Sequence, residues 1–448
     1  MDVIKGSNKK PAASAQLAEI VEQHFNDEDG VLYIGYPILA TADGREAIDA
    51  LWISRPRGLI AIHMVEGRDT QHFGEAQDEI ASLLEAKLLP HKSLKKGRHL
   101  ASPPATLTFA ALSNHCIDDD GHTLANSETL VQAISEIKWD TPELYESSLS
   151  AIQSISTIRK NLSPRKITSP RSHGSALKAL EDSIANLDSR QSRAVIETVD
   201  GVQRIRGLAG SGKTIILALK AAYLHSQHPD WKIAVTFNTR SLKHQFVNLI
   251  DTFVRDQTGS RPNENLQVIN AWGASGGAAR TGVYYQFCVE NGVEYFDFQS
   301  ARSKYGFDKA FGGVVENALR SVKEPKKIFD AILVDEAQDF DPAFLRLCYS
   351  SLDEKRRLVY AYDELQSLTE SSLPPVEEIF GLRDDGTPEV AFPLAADGSS
   401  SHDIILEKCY RNSRPVLATA HSLGFGIYRD LDPKIGTGLV QMFDRAEL

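Results

Sequence analysis

From position 207 the chain reads Gly207-Leu208-Ala209-Gly210-Ser211-Gly212-Lys213-Thr214. This is a complete G-x-x-x-x-G-K-T sequence, and its flanks decide how it is read. The apolar run Val202–Ile205 predicts a strand before it, and Thr214–His225 has the apolar spacing of a helix after it. Between strand and helix, Gly207, Gly210 and Gly212 permit a loop whose backbone N–H groups, Ser211 included, turn inward around phosphate oxygens. The helix behind the loop directs its positive dipole end at the same point. Lys213 would then reach the β and γ phosphates, and the Thr214 hydroxyl would ligate Mg²⁺. The alternative is a chance glycine turn, and the presence of both flanking elements argues against it.

A second motif lies downstream in the expected order. Phe329–Val334 is an apolar strand that runs into Asp335-Glu336-Ala337-Gln338-Asp339, so two carboxylates fall where the strand meets its loop. Asp335 would hold Mg²⁺ through its water shell and Glu336 would act as general base on the attacking water. An acidic helix cap after a buried strand is the plainer reading. Further strand-like runs at Lys232–Phe237 and Leu358–Tyr362 alternate with helical stretches such as Leu242–Val254. That alternation predicts a parallel sheet with its active loops at the carboxyl ends of the strands.

The rest of the composition narrows the class. The 448 residues carry 49 Lys+Arg and 60 Asp+Glu, a formal net charge of −11, which argues against indiscriminate coating of nucleic acid but allows a local basic groove. A hydrophobic fraction of 42% with 24% charged residues excludes a wholly disordered or fibrous chain. No apolar run approaches the roughly 20 residues of a bilayer span, and Met1–Lys10 is polar rather than signal-like, so the expectation is a cytoplasmic protein with no membrane partner. Cys116, Cys288, Cys348 and Cys409 are isolated in sequence, which predicts buried thiols rather than a zinc site. Toward the amino terminus, a helix over Ser14–Phe25, strands over Val31–Ala40, Ala47–Ser54 and Gly58–Val65, a helix over Glu75–Leu89 and a strand over Thr106–Leu112 predict a small α/β unit. Pro164 and Pro170, amid Ser, Arg and Lys, mark Lys160–Gly174 as a linker.

With both phosphate motifs in view, the chain resembles the superfamily 1 helicases of the UvrD/Rep type, whose second motif takes the Asp-Glu-Ala-Gln-Asp form. Leu187-Asp-Ser-Arg-Gln191 resembles their Q motif, which implies that Gln191 reads the adenine edge; an ordinary exposed glutamine near a helix start is the other reading. Ala234–Thr239 resembles motif Ia, which implies contacts from Phe237 and Asn238 to single-stranded nucleic acid, against a core aromatic beside a turn-forming Asn. Tyr362-Asp-Glu-Leu-Gln366 resembles motif III, with Gln366 sensing the γ phosphate, although Tyr362 stands where the family has Gly and no aromatic follows. Cys409-Tyr410-Arg411-Asn-Ser413 resembles motif IV, implying that Tyr410 stacks on adenine and Arg411 reaches the γ phosphate across a cleft. Nothing after Arg411 resembles motifs V and VI, so the expectation is an incomplete second RecA-like domain, with a second chain as one way to complete the motor.

Asp43–Ser54 followed by Pro56–Ile62 resembles the nuclease-related domain of the PD-(D/E)xK group. Asp49 matches its aspartate, but the E-x-K position reads His63-Met64-Val65, with Glu66 beyond it, which implies a degenerate, inactive fold. The basic stretch His91–His99, with Arg159, Lys160, Arg165, Lys166 and Arg171, is either a phosphate contact or solvated surface. Trp272 and Gly273 lie in an Ala-Trp-Gly sequence, also found in nuclease-domain helicases, to which no role attaches.

The expected fold class is α/β. It comprises a nuclease-like domain over 1–135, a connector over 136–185, a RecA-like P-loop NTPase domain with a parallel sheet over 186–395, and the start of a second RecA-like domain over 396–448. The expected function is ATP-dependent, Mg²⁺-dependent translocation on single-stranded or partly duplex DNA. A nucleotide-binding regulatory subunit that clamps nucleic acid or a partner without unwinding is the alternative.

Overall fold

The structure is a computed structural model that describes residues 1–41, 44–114, 116–119, 121–153, 187–277, 280–363, 373–393 and 401–409, with Val416 and Thr419. Its contacts divide the chain into two units, one of residues 1–198 with 252–261, the other of residues 199–251 with 262–448.

In the first unit the strands are β1 (Asp2–Lys5), β2 (Gly30–Ile34), β3 (Ile38–Thr41), β4 (Gly44–Ala47), β5 (Ala50–Ser54), β6 (Gly58–Met64), β7 (Lys95–Lys96), β8 (His99–Leu100), β9 (Ala105–Phe109), β10 (Ile117–Asp119) and β11 (His122–Ala125). Seven of them form a mixed sheet in the order β1-β2-β5-β6-β9-β11-β10. Strand β5 is buried throughout, so its residues read as a continuous apolar run rather than an alternation. Trp52 belongs to this core, edge-on to Phe25, the residue that ends the helix Pro11–His24. The expected strand over Val31–Ala40 is interrupted at Gly35, whose φ of 70° turns the chain. Helix Tyr145–Ile152, expected in the connector, belongs to this unit: Tyr36 Oη donates to the Ile152 carbonyl at 3.0 Å. Strand β1 was not expected, because four residues in the polar stretch Met1–Lys10 carry too little periodicity to signal it.

In the second unit the strands are β12 (Val202–Gly207), β13 (Ile233–Phe237), β14 (Leu266–Asn270), β15 (Phe329–Val334), β16 (Leu352–Tyr362) and β17 (Asp403–Leu406). They form one sheet in the order β14-β13-β15-β16-β12-β17, with every pairing parallel. Strands β13 and β15 are buried almost end to end, and helix Lys213–Gln227 is nearly all buried, with alanines at 218, 221 and 222 that allow close approach. The last strand falls beyond position 396, where the second RecA-like domain was expected to begin. Asp403–Leu406 is an edge strand of this sheet, where Arg204 and Arg206 both clamp Asp403.

Candidate functional site

The phosphate loop leaves β12 at Gly207 and enters the helix at Lys213. Gly210 and Gly212 have φ of 87° and 92°, the left-handed region that a side chain would strain. A Cβ on Gly207 would lie 2.6 Å from Ser211 Oγ and 2.9 Å from Leu406 Cβ, so that position is closed to larger residues as well. Lys213 is buried and folded onto its own loop: Nζ donates to the carbonyls of Gly207 at 2.7 Å and Leu208 at 3.1 Å, and lies 3.6 Å from Asp363 Oδ2.

The second motif comes to the same place. Thr214 Oγ1 donates to Asp335 Oδ2 at 2.8 Å, joining residues 121 positions apart. Asp335 is fully buried, and its Oδ1 has no hydrogen-bond partner among the described residues. Burial, and then the neighbouring Glu336, push its carboxyl up to about 7. A buried carboxylate oxygen short of a donor, beside a threonine hydroxyl, is a set of hard oxygen ligands of the kind Mg²⁺ takes, with water and phosphate supplying the rest. Glu336 follows with φ 50° and ψ 50°, an uncommon conformation for a residue with a side chain. Its Oε2 accepts from Gln338 Nε2 at 2.7 Å, and Gln338 Oε1 accepts from the Asp363 N–H at 3.1 Å. Gln338 and Asp363 were quoted within their motifs without a role, and the geometry adds both to the site.

The other expected residues distribute differently. Gln191 is buried in the first unit as the third residue of helix Ser189–Ile196, in a capping box with Asp188: its N–H donates to Asp188 Oδ1 at 2.8 Å and its Oε1 accepts from the Asp188 N–H at 3.2 Å. Gln191 thus stands at a helix start, but buried rather than exposed as that reading expected; the Asp188-x-x-Gln191 spacing is the sequence signal of the capping box. Phe237 corrects the base-stacking expectation. The ring is fully buried and stacked on Phe246 at 5.5 Å, so it is core. Asn238 is exposed, with Nδ2 3.5 Å from the Asp339 carbonyl. It lines a groove of about 1440 Å³ together with Lys243, Trp272, Arg280, Phe298 and Phe311. Trp272 forms part of the wall, its Nε1 donating to the Phe296 carbonyl at 2.9 Å and its ring stacked on Phe311, while Phe298 is 50% exposed. Gln366, Tyr410 and Arg411 lie outside the described residues. Cys409, just before them, donates its thiol to the Ala209 carbonyl of the phosphate loop at 3.0 Å. The cysteines are buried at Cys288 and Cys348 only; Cys116 is exposed and Cys409 half-buried.

In the first unit, Asp49 Oδ2 accepts from Lys10 Nζ at 2.7 Å and from the Met64 N–H at 2.8 Å. Glu66 turns to the start of helix Pro11–His24, accepting from the N–H groups of Ala12 and Ala13 at 3.0 Å each, so it gives Asp49 no second carboxylate. His63 Nδ1 lies 3.4 Å from Thr108 Oγ1, and burial followed by the Lys10 charge lowers the pKa of the imidazole. No cluster of three or more potential metal-ligating His, Cys, Asp or Glu occurs among the described residues. Lys92, Lys95, Lys96 and Arg98 of the basic stretch are exposed.

No protein-family model and no curated protein sequence matches the chain. Among solved structures, the UvsW helicase from bacteriophage T4 aligns at 17% identity and a TM-score of 0.24, over 50% of this chain and 73% of that chain. No described helix is long and apolar enough to cross a membrane.

Proposed function

We propose that this chain is an ATP-hydrolysing motor of the superfamily 1 helicase kind, acting on single-stranded or partly duplex DNA. The observation that carries the reading is the 2.8 Å bond from Thr214 to Asp335, because it unites the phosphate loop with the strand-end carboxylates at one buried point beside Lys213. On this reading the loop N–H groups of Gly207–Gly212 hold the phosphates, and Lys213 leaves its loop carbonyls for the γ phosphate. Thr214 and Asp335 hold Mg²⁺, which when bound offsets phosphate charge. Glu336 takes a proton from water as the water oxygen bonds to the γ phosphorus and the bond to the β-phosphate oxygen breaks. Gln366, Tyr410 and Arg411 complete the nucleotide site as γ-phosphate sensor, adenine stack and charge-stabilising arginine. Asn238 and the groove beside it take the nucleic acid, with Phe298 or Trp272 in the stacking role that Phe237 cannot fill.

Steady-state ATP turnover with and without single-stranded DNA tests this. Lys213→Ala and Glu336→Gln are expected to lower turnover by about 10²-fold or more. Turnover by the wild type that DNA does not stimulate, with no strand separation, would favour the regulatory-subunit alternative; no Mg²⁺–ATP binding at all would remove both.

A further inference from the structure

The amide of Gln338 has only one orientation open to it. A backbone N–H can only donate, so the atom facing the Asp363 N–H at 3.1 Å is the oxygen Oε1. That leaves the amide nitrogen to face Glu336, and it donates to Oε2 at 2.7 Å. Glu336 is thereby held by one of its two carboxyl oxygens, which fixes the direction in which the group faces. Gln338 is 6% exposed, so water competes little for either bond. It also spans the carboxyl ends of two neighbouring strands, since Glu336 and Gln338 follow β15, Asp363 follows β16, and these strands pair in parallel. Asp363 in turn faces Lys213 Nζ at 3.6 Å. One amide thus connects the carboxylate of Glu336 to the residue that flanks the phosphate-loop lysine.

We propose that Gln338 is the positioning residue of the hydrolytic step: it aims the Glu336 carboxylate and fixes it to the Asp363–Lys213 end of the sheet. This rests on the ATPase reading above. Hydrolysis should therefore depend on the amide at 338, while nucleotide uptake should not. The test pairs calorimetry of Mg²⁺–ATP binding with steady-state turnover on the full chain, for the wild type, Gln338→Ala, Gln338→Glu and the Glu336→Gln/Gln338→Glu exchange. Turnover is expected to fall about 10- to 100-fold in both single variants, with Kd within about threefold of the wild type. Gln338→Glu keeps the acceptor for Asp363 but meets Glu336 with a like charge, so it should melt earlier than the wild type. The exchange restores a donor at 336 and an acceptor at 338, and should recover the melting temperature without recovering turnover. If Gln338→Ala loses its melting transition, Gln338→Glu decides alone. Turnover unchanged within about twofold in the single variants, or a fall in turnover matched by an equal loss of binding, overturns the positioning role while leaving the ATPase reading intact. A wild type that takes up no Mg²⁺–ATP overturns both.

Discussion

Asp49 and Asp335 each stand one residue outside a buried strand, the first just before β5 and the second just after β15, yet they are supplied with positive charge in opposite ways. Asp49 has its cation built in, with Lys10 Nζ at 2.7 Å and the Met64 N–H on the same oxygen. Asp335 is fully buried and pairs with no cation within ion-pair distance among the described residues; the Thr214 hydroxyl donates to Oδ2, and Oδ1 has no hydrogen-bond partner there. A carboxylate completed by its own chain is a structural element. A carboxylate left short at full burial is poised for a charge from outside, because burial disfavours the unpaired ion.

The largest expected contrast is in nucleotide binding. Asp335→Asn should weaken Mg²⁺–ATP by about 10- to 100-fold, the cost of losing a partner that holds the ion through its water shell, whereas Asp49→Asn should leave affinity within about twofold. Equal effects in titration calorimetry would break the comparison. Next comes folding stability. Lys10→Met strips Asp49 of its cation at a partly exposed site and should cost about 1 to 2 kcal/mol in urea denaturation. A variant as stable as the wild type would show that the pair is ornamental. The smallest contrast is in pH dependence. Because folding raises the Asp335 carboxyl to about 7, its protonated form favours the folded state. That contribution is complete below the ordinary carboxylate range and disappears as pH rises through about 7. Metal-free protein should lose about 1 kcal/mol between roughly pH 6 and 8, and Asp335→Asn should abolish that slope.

How much of this was legible depended on range along the chain. The phosphate loop and the Asp335–Glu336 pair could be read because each is a short contiguous pattern whose chemistry is local. Gln191 was read for chemistry when the nearer signal, an acid three residues ahead of it at a helix start, explained its geometry. Phe237 allowed two readings from its sequence context, and the choice was made by Phe246, a helix neighbour whose packing no strand pattern encodes. The strand Asp403–Leu406 escaped because four residues give little periodicity and its partner β12 lies some 200 positions earlier, where Arg204 and Arg206 await one aspartate. The Lys10–Asp49 pair was invisible for the same reason: nothing around a lysine in a polar stretch announces which strand-end acid it will meet.

The backbone at Glu336 has a consequence for how substitutions there should be judged. At φ 50° this position would suit glycine better, since a side chain in the left-handed region costs roughly 1 kcal/mol. Glu336→Gly should relieve that strain but strip the buried Gln338 amide of its acceptor, at about 1 to 3 kcal/mol, so it is expected to be hydrolytically inert and no more stable than the wild type. Backbone ease and side-chain bonding thus pull in opposite directions at this residue, and the glutamate keeps an awkward backbone for the sake of what its carboxylate holds.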